Sequence, residues 1–238
     1  MAPVTIHAIP LASGNEDKQL AGRNRARPRS LSLGDAMQLT RALCCFKEYM
    51  KRGNMDINNI KIRETNNSDI KDIIDVETIA FGYKKEAELT VKLLNDKSAL
   101  PLVSLLAYNG SEAIGHILFT KAVIENYFNS PLIHILAPLA VKPEFQNKGI
   151  GGLLIKEGIK ILKEIGTEII FVLGHKSYYP KYGFIPNAIK LGFKAPYSIP
   201  FKDEDAWMVQ FLKTNKNQNV KGKIKCADEL NKPEHWKE

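Results

Sequence analysis

Three glycines occupy the junction between an apolar run and an amphipathic run in the segment VKPEFQNKGIGGLLIKEG, residues 141–158. Glycine costs about 0.5–1 kcal/mol inside a helix, yet Gly149, Gly151 and Gly152 stand where a helix is expected to begin. Either the turn is merely tight, or the backbone there must approach a ligand closely. Because bare N–H groups at a helix N-terminus bind phosphate, this segment is a candidate phosphate-binding turn.

Three kinds of phosphate-binding turn join a strand to a helix through glycines, and two of them do not match. A P-loop needs Lys-Ser or Lys-Thr after its last glycine, whereas Leu153 and Leu154 follow here. The dinucleotide fingerprint needs a third glycine in register and an acidic residue at the end of the next strand, but that strand ends VLGH. The remaining spacing is Q-x-x-G-x-G, in which N–H groups of the turn hold a pyrophosphate and Lys148 adds positive charge.

The residues around this turn predict the elements that position it. The apolar run SPLIHILAPLAV, residues 130–141, predicts a long strand. Pro138 within it predicts a bulge or a strand edge, because proline removes a hydrogen bond from the ladder. Apolar residues at helical spacing over 150–165 predict a helix that lies on a sheet. The continuous apolar run TEIIFVLG, residues 167–174, predicts a buried central strand beside it.

The rest of the pattern predicts a mixed-sheet α/β fold. Alternating residues at 60–65 predict a strand, and amphipathic spacing predicts helices within 66–82 and 85–96. Asn109-Gly110 between two apolar runs predicts a hairpin. A late strand is predicted at 206–212, so a parallel pair flanks the third helix and antiparallel hairpins precede it.

Composition limits the class of protein. Of 238 residues, 44% are hydrophobic and 25% are charged, which is typical of a globular protein with a sizeable core. No apolar run approaches the roughly 18 residues of a membrane span, and the N-terminus has no basic region of the kind that opens a secretory signal. Three cysteines are too few and too poorly spaced for a disulfide framework or a zinc site. We therefore expect a cytoplasmic protein without a bound metal.

Two stretches resemble the GNAT superfamily of acetyl-CoA-dependent N-acetyltransferases. LAVKPEFQNKGIGGLLI is similar to motif A of that superfamily, with Leu139-Ala140-Val141, Pro143, Gln146, Gly149 and Gly151 in register. YYPKYGF resembles its Y-x-x-x-G-F segment, with Tyr179 four residues before Gly183. Together with IGHILF upstream, LGHKSYYPKYGF resembles a poorly characterised bacterial subgroup. The resemblance extends over about residues 58–212.

The resemblance implies a fold, a cofactor and a set of site residues. The fold is a mixed, mostly antiparallel sheet with flanking helices, whose central parallel strands splay apart so that one strand's backbone binds the pantetheine of acetyl-CoA. Tyr179 would be the acid that protonates the leaving thiolate of CoA. The residues implied in acetyl-CoA binding are Leu139, Ala140, Val141, Gln146, Asn147, Lys148, Gly149, Ile150, Gly151 and Gly152.

The reaction implied is acetyl transfer to a primary amine, whose general base the sequence does not identify. His116 and His134 lie on apolar strands, where a lone histidine is typical of a core residue, and His175 ends the predicted central strand. The segments 80–89 and 191–200 are expected to shape the acceptor pocket, with Glu86 and Glu88 suited to a cationic amine. The acceptor and the existence of a homodimer stay open.

The N-terminal 54 residues differ in composition from the rest, since they contain six of the seven arginines. We interpret residues 1–54 as a basic, disordered leader or non-native extension, 55–212 as the acetyltransferase domain, and 213–238 as a polar tail with one extra strand. Two alternatives remain: an acyl-CoA-binding sensor without catalysis, and a nucleic-acid-binding protein that uses the basic run RNRARPR. Binding to nucleic acid is the less favoured of these, and no membrane partner is expected.

Overall fold

The computed structural model describes residues 59–128, 130–213 and 220–236. Predictions about the first 54 residues, including the basic run, lie outside this range. The described helices are α1 (Ile70–Phe81), α2 (Lys85–Asn95) and α3 (Ile150–Glu164). The strands are β1 (Ile60–Glu64), β2 (Val103–Asn109), β3 (Glu112–Ile124), β4 (Ile133–Val141), β5 (Ile169–Leu173), β6 (Phe193–Lys194), β7 (Trp207–Phe211) and β8 (Gly222–Lys225).

The strands form one mixed sheet with the order β1-β2-β3-β4-β5-β7. Neighbours in this order are antiparallel except β4 and β5, which run parallel around the crossover helix α3. The predicted mixed, mostly antiparallel sheet with a central parallel pair is therefore confirmed. Among the residues that the structure describes, no helix has the length and apolar character needed to cross a membrane.

The C-terminal segment adds β8, which pairs with β3 and, in parallel, with β6. Residues on both sides of β8 are buried in the same core as the sheet: Val220, Ile224, Leu230 and Trp236. The Trp236 ring lies edge-on to Trp207 of β7 at a centroid distance of 5.8 Å. A few apolar side chains of this otherwise polar segment therefore form part of the core.

Helix α3 packs against the sheet at close range, and a glycine makes this possible. A Cβ atom built on Gly158 would lie 2.9 Å from Cζ of Phe119 on β3. Non-bonded carbon atoms lie about 3.5–4.0 Å apart, so a side chain at this position would overlap the ring. Gly158 thus sets the distance between α3 and the strands beneath it, and with it the position of the helix N-terminus.

His134 is fully buried on β4, and both of its ring nitrogens have partners. Nε2 donates to the carbonyl of Pro101 at 2.9 Å, and Nδ1 accepts from the Thr167 hydroxyl at 3.0 Å. Burial lowers the pKa of His134 from 6.5 to about 4, with the hydrogen bond to Pro101 opposing the change and the charge of Lys121 reinforcing it. The prediction that His134 is a core residue is confirmed.

The pKa of His134 predicts a loss of stability in mild acid. Between pH 6.5 and pH 4 the unfolded chain protonates this histidine while the folded chain does not. The free energy of unfolding therefore decreases by up to about 3 kcal/mol as the pH is lowered through this range. Urea unfolding at pH 7, 5.5 and 4.5 should show a smaller decrease for His134→Gln than for the wild type. Equal decreases in the two proteins would contradict this assignment.

Candidate functional site

The parallel ladder between β4 and β5 ends before β4 does. Its last pair is Leu136 with Val172, although β4 continues to Val141. On its other edge β4 stays paired with β3, with a shift in register between Ile117 and Phe119 that lies opposite Ala137-Pro138. Pro138 therefore occupies a bulge, as expected. Beyond the bulge, one edge of β4 is not paired with β5. The backbone groups on this edge face the space between the two strands.

The glycine turn connects the end of β4 to α3 through two residues with positive φ. After a short 3-10 turn over Pro143–Phe145, Asn147 has φ +59° and Gly149 has φ +85°. The Gln146 side chain donates to the Val141 carbonyl at 2.9 Å, which ties the turn to the end of β4. The Lys148 ammonium lies 5.7 Å from the centre of the Phe145 ring.

This turn presents the N-terminus of a 15-residue helix without a side-chain cap. The Leu153 N–H donates to the Gly149 carbonyl at 3.1 Å. The N–H groups of Ile150, Gly151 and Gly152 precede this first hydrogen bond, so the helix itself offers them no carbonyl acceptor. Their dipoles add to a partial positive charge of about half a unit at this end of the helix. The arrangement is suited to an anion with several acceptor oxygens.

A cluster of tyrosines lies against the first turn of α3. A Cβ atom built on Gly152 would be 2.9 Å from Cε1 and Cζ of Tyr182, so glycine is needed for this contact. Tyr178 has its ring centre 5.2 Å from those of both Tyr179 and Tyr182. The structure therefore brings together the glycine turn and the Y-x-x-x-G-F segment, which are about 30 residues apart in sequence.

Tyr179 is fully buried, and its hydroxyl has no hydrogen-bond partner among the described residues. Its ring lies edge-on to Phe184 at 5.6 Å. Burial raises the pKa of Tyr179 well above its ordinary value, and Tyr178 and Tyr182 add to the effect. The phenol therefore keeps its proton at neutral pH and is a donor without an acceptor. A buried polar group left in this state is costly unless a ligand completes it.

Sequence reasoning identified His116 as a core residue but missed the carboxylate beside it. His116 is fully buried, with Nδ1 2.6 Å from Oε1 of Glu77 on α1 and Nε2 2.9 Å from Oγ of Ser104 on β2. Burial raises the pKa of Glu77, and the hydrogen bond with His116 opposes this. Glu77 stands four residues after Ile73 on the apolar face of α1, so helical periodicity already places it inside. His116 is the ladder partner of Ala140 on β4.

The other candidate residues are placed as follows. His175 is exposed just after β5, where its Nδ1 accepts from the Ser177 hydroxyl at 2.8 Å. Glu86 of α2 is buried and Glu88 is exposed. Within the described ranges no three His, Cys, Asp or Glu side chains are grouped as metal ligands.

Comparison with known proteins gives both a family and a fold. Residues 102–186 match the model of the acetyltransferase (GNAT) domain. The uncharacterized N-acetyltransferase YjhQ of Escherichia coli K12 is 49% identical over 174 residues, which are 73% of this chain and 96% of that protein. The uncharacterized N-acetyltransferase YhbS of the same strain is 27% identical over 106 residues, 44% of this chain and 61% of its own length.

Two solved structures share the fold. The crystal structure of YhbS from Escherichia coli in complex with CoA has a TM-score of 0.64 and 23% identity, and the match covers 73% of this chain and 93% of that one. A GNAT-family acetyltransferase from Brucella melitensis in complex with acetyl-CoA has a TM-score of 0.57 and 24% identity, with 72% and 97% covered. The predicted fold is thus confirmed.

The contact between Gly152 and Tyr182 predicts that Gly152→Ala destabilises the protein. Overpacking costs about 1–3 kcal/mol, which outweighs the gain of up to about 1 kcal/mol from replacing a helical glycine. Adding Tyr182→Phe removes the hydroxyl nearest to the new methyl group and should restore part of the loss. Urea unfolding of both single variants and the double variant measures this coupling. A Gly152→Ala protein as stable as the wild type would contradict the contact.

Proposed function

The chain belongs to the GNAT family of acetyltransferases, and on this premise we propose that it transfers an acetyl group from acetyl-CoA to a primary amine. The amine attacks the thioester carbonyl directly and passes through a tetrahedral intermediate. The observation that supports this most is the joint presence of an uncapped helix start after a splayed strand and a buried phenol without an acceptor. The CoA and acetyl-CoA bound by the two structural neighbours fit such a site.

The glycine turn is the proposed pyrophosphate site. The backbone N–H groups of the turn, from Asn147 to Gly152, would donate to the phosphate oxygens, and the dipole of α3 favours the negative charge. Lys148 would lie at the edge of this site, and Gln146 holds the turn against the end of β4 at 2.9 Å. Gly149 has a positive φ and no side chain, so the backbone of the turn is open to a ligand at this position.

The unpaired edge of β4 is the proposed pantetheine site. Leu139, Ala140 and Val141 stay paired with β3 on one edge, so the groups on the other edge are available to the amides of pantetheine. A backbone N–H near Leu139 or Ala140 would donate to the oxyanion of the tetrahedral intermediate. Donors held rigidly by a sheet stabilise such a charge without reorganisation.

Tyr179 is the proposed acid for the leaving group. As the carbon–sulfur bond breaks, the electron pair goes to sulfur, and the phenol proton neutralises the CoA thiolate. A buried phenol that stays protonated can donate when the sulfur lies within hydrogen-bond distance. Acetyl-CoA would thereby supply the acceptor that the Tyr179 hydroxyl lacks among the described residues.

The two alternatives lead to different expectations. A sensor that only binds acyl-CoA needs the glycine turn but not the phenol, so Tyr179 favours an enzyme. Binding to nucleic acid would depend on the basic run at 23–29, which lies outside the described residues. Use of acetyl-CoA is compatible with the cytoplasmic location proposed from the three cysteines.

Tyr179→Phe should lower kcat by at least about 100-fold while acetyl-CoA affinity stays nearly unchanged, because the ring remains and only the proton donor is lost. CoA release with a panel of primary amines gives kcat, and calorimetry gives the affinity. Tyr127→Phe is the control, since Tyr127 is exposed in the connection before β4, at the opposite end of that strand from the glycine turn. Unchanged turnover would refute the acid role, and no release by the wild type with any amine would favour a sensor.

Gly149→Ala and Gly166→Ala form a second matched pair. Both glycines have positive φ, +85° and +89°, and neither has an atom near the built Cβ. Both variants should lose about 1–2 kcal/mol of stability from the left-handed backbone. Only Gly149→Ala should weaken acetyl-CoA binding, by roughly tenfold or 1.4 kcal/mol, because the distortion falls on the proposed pyrophosphate site. Equal affinities by calorimetry would place the pyrophosphate elsewhere.

A further inference from the structure

Four buried side-chain oxygen atoms on α1 and α2 have no hydrogen-bond partner in the described part of the chain: Oε2 of Glu77, Oγ1 of Thr78, Oε2 of Glu86 and Oγ1 of Thr90. Of their residues, Glu77, Glu86 and Thr90 are at most 4% exposed. Glu86 and Thr90 are one turn apart on the same face of α2. Helices α1 and α2 pack against each other, and Glu77 and Glu86 are both buried in this region. Burial raises the pKa of Glu86, and the charge of Glu77 adds to the increase.

Such a group of oxygens is unfavourable unless something donates to it. A buried oxygen without a partner costs about 1–3 kcal/mol, and more if it is charged. Two buried carboxyl groups that act on each other's charge also repel when both are ionised. A primary ammonium group answers both problems, since it has a positive charge and three N–H donors. The arrangement therefore points to a cation between α1 and α2.

Glu77 lies close to the strand proposed to bind acetyl-CoA. Its carboxyl group contacts His116, and His116 faces Ala140 across the antiparallel pair of β3 and β4. Directly opposed residues in such a pair have Cα atoms about 4.5–5.5 Å apart. The face of α1 around Glu77 also packs on Ala140 through Ile73, Val76 and Ala80. Glu77 thus lies one side chain away from the proposed oxyanion site.

Tyr83 connects this acidic group with the surface. It lies in the connection between α1 and α2, its residue is 43% exposed, and its hydroxyl donates to Oε1 of Glu86 at 2.9 Å. Gly82 before it has φ +78° and ends α1. Aromatic faces attract cations, so Tyr83 is the exposed group through which a cation would reach Glu86.

We propose that Glu77 is the general base of the reaction and that it receives a cationic acceptor amine held by Glu86 and Thr90. This rests on the acetyltransferase function proposed above. The ammonium gives one proton to Oε2 of Glu77 and keeps its electron pair, which forms the new bond to the thioester carbon. The carbon–sulfur bond then breaks, and the thiolate takes its proton from Tyr179. The nitrogen still carries two hydrogens and a positive charge, and it returns one of those protons to the Tyr179 phenolate, which leaves a neutral amide. His116 acts as a positioning residue that holds Glu77 through Oε1.

A chain of hydrogen bonds connects Glu77 with the edge of the sheet and can return its proton. From His116 it continues to Ser104 at 2.9 Å and from Ser104 to the Thr65 hydroxyl at 2.8 Å. Thr65 is partly exposed at the end of β1. Each hydroxyl both donates and accepts, and imidazole exchanges protons at both nitrogens. The base can therefore be reset without opening the site to water.

The test compares ethylamine with 2,2,2-trifluoroethylamine as acceptors. The first is charged at neutral pH and needs a base, whereas the second is mostly uncharged. Glu77→Gln should lower kcat/KM for ethylamine by at least about 100-fold and should change it far less for the fluorinated amine. The matched control is Asp75→Asn, which alters an exposed carboxylate on the same helix and should leave both reactions unchanged. Equal losses for the two amines, or no loss, would overturn the proposal.

Glu86→Gln gives an independent measurement if Glu77→Gln does not fold. It should lower kcat/KM for ethylamine about tenfold, equivalent to 1.4 kcal/mol, and affect the neutral amine little, while the exposed control Asp75→Asn changes neither. Thermal unfolding and acetyl-CoA affinity show that each variant is intact. If the wild type releases CoA with amines and the glutamate variants are unaffected, this inference is wrong and the proposed function stands. If the wild type releases no CoA with any amine, both the proposed function and this inference are wrong.

Discussion

Strand β4 pairs with β5 only as far as Leu136, while its other edge remains hydrogen-bonded to β3. Pro138 lies in the bulge at this point, where it has no N–H to offer to a ladder. Both strands run in the same direction, so the segments that follow them meet at the same edge of the sheet. The start of α3 and the tyrosine segment are therefore in contact through Gly152 and Tyr182. The proposed site for acetyl-CoA depends on this divergence.

Several polar residues are buried on or beside α1 and α2, where apolar residues would be more stable: Glu77, Glu86, Thr90 and His116. A buried polar pair seldom repays its desolvation, and here Glu77 and His116 are hydrogen-bonded to each other and fully buried. In the proposed reaction this cost has a use, because a carboxylate kept from water is a stronger base toward an amine. Polar groups that violate ordinary core packing are typical of functional sites.

Much of the fold was visible in local sequence. The hairpin at Asn109-Gly110, the helix after the glycine turn and the buried run of β5 each depend on residues a few positions apart. The bulge at Pro138 followed from a property of one residue, its missing N–H. Local patterns did not single out Glu77, because its partner His116 is 39 residues away along the chain.

The sequence by itself determined the glycine turn, the order of the elements and the position of Tyr179 in a Y-x-x-x-G-F segment, since these depend on residues a few positions apart. Only the tertiary structure decided which side chains meet. It packed Gly152 against Tyr182, left the Tyr179 hydroxyl without an acceptor and set Glu77 beside His116. These contacts join distant segments through packing of helices on a sheet, and the burial that alters the pKa of Tyr179 and of Glu77 exists only once that packing is complete.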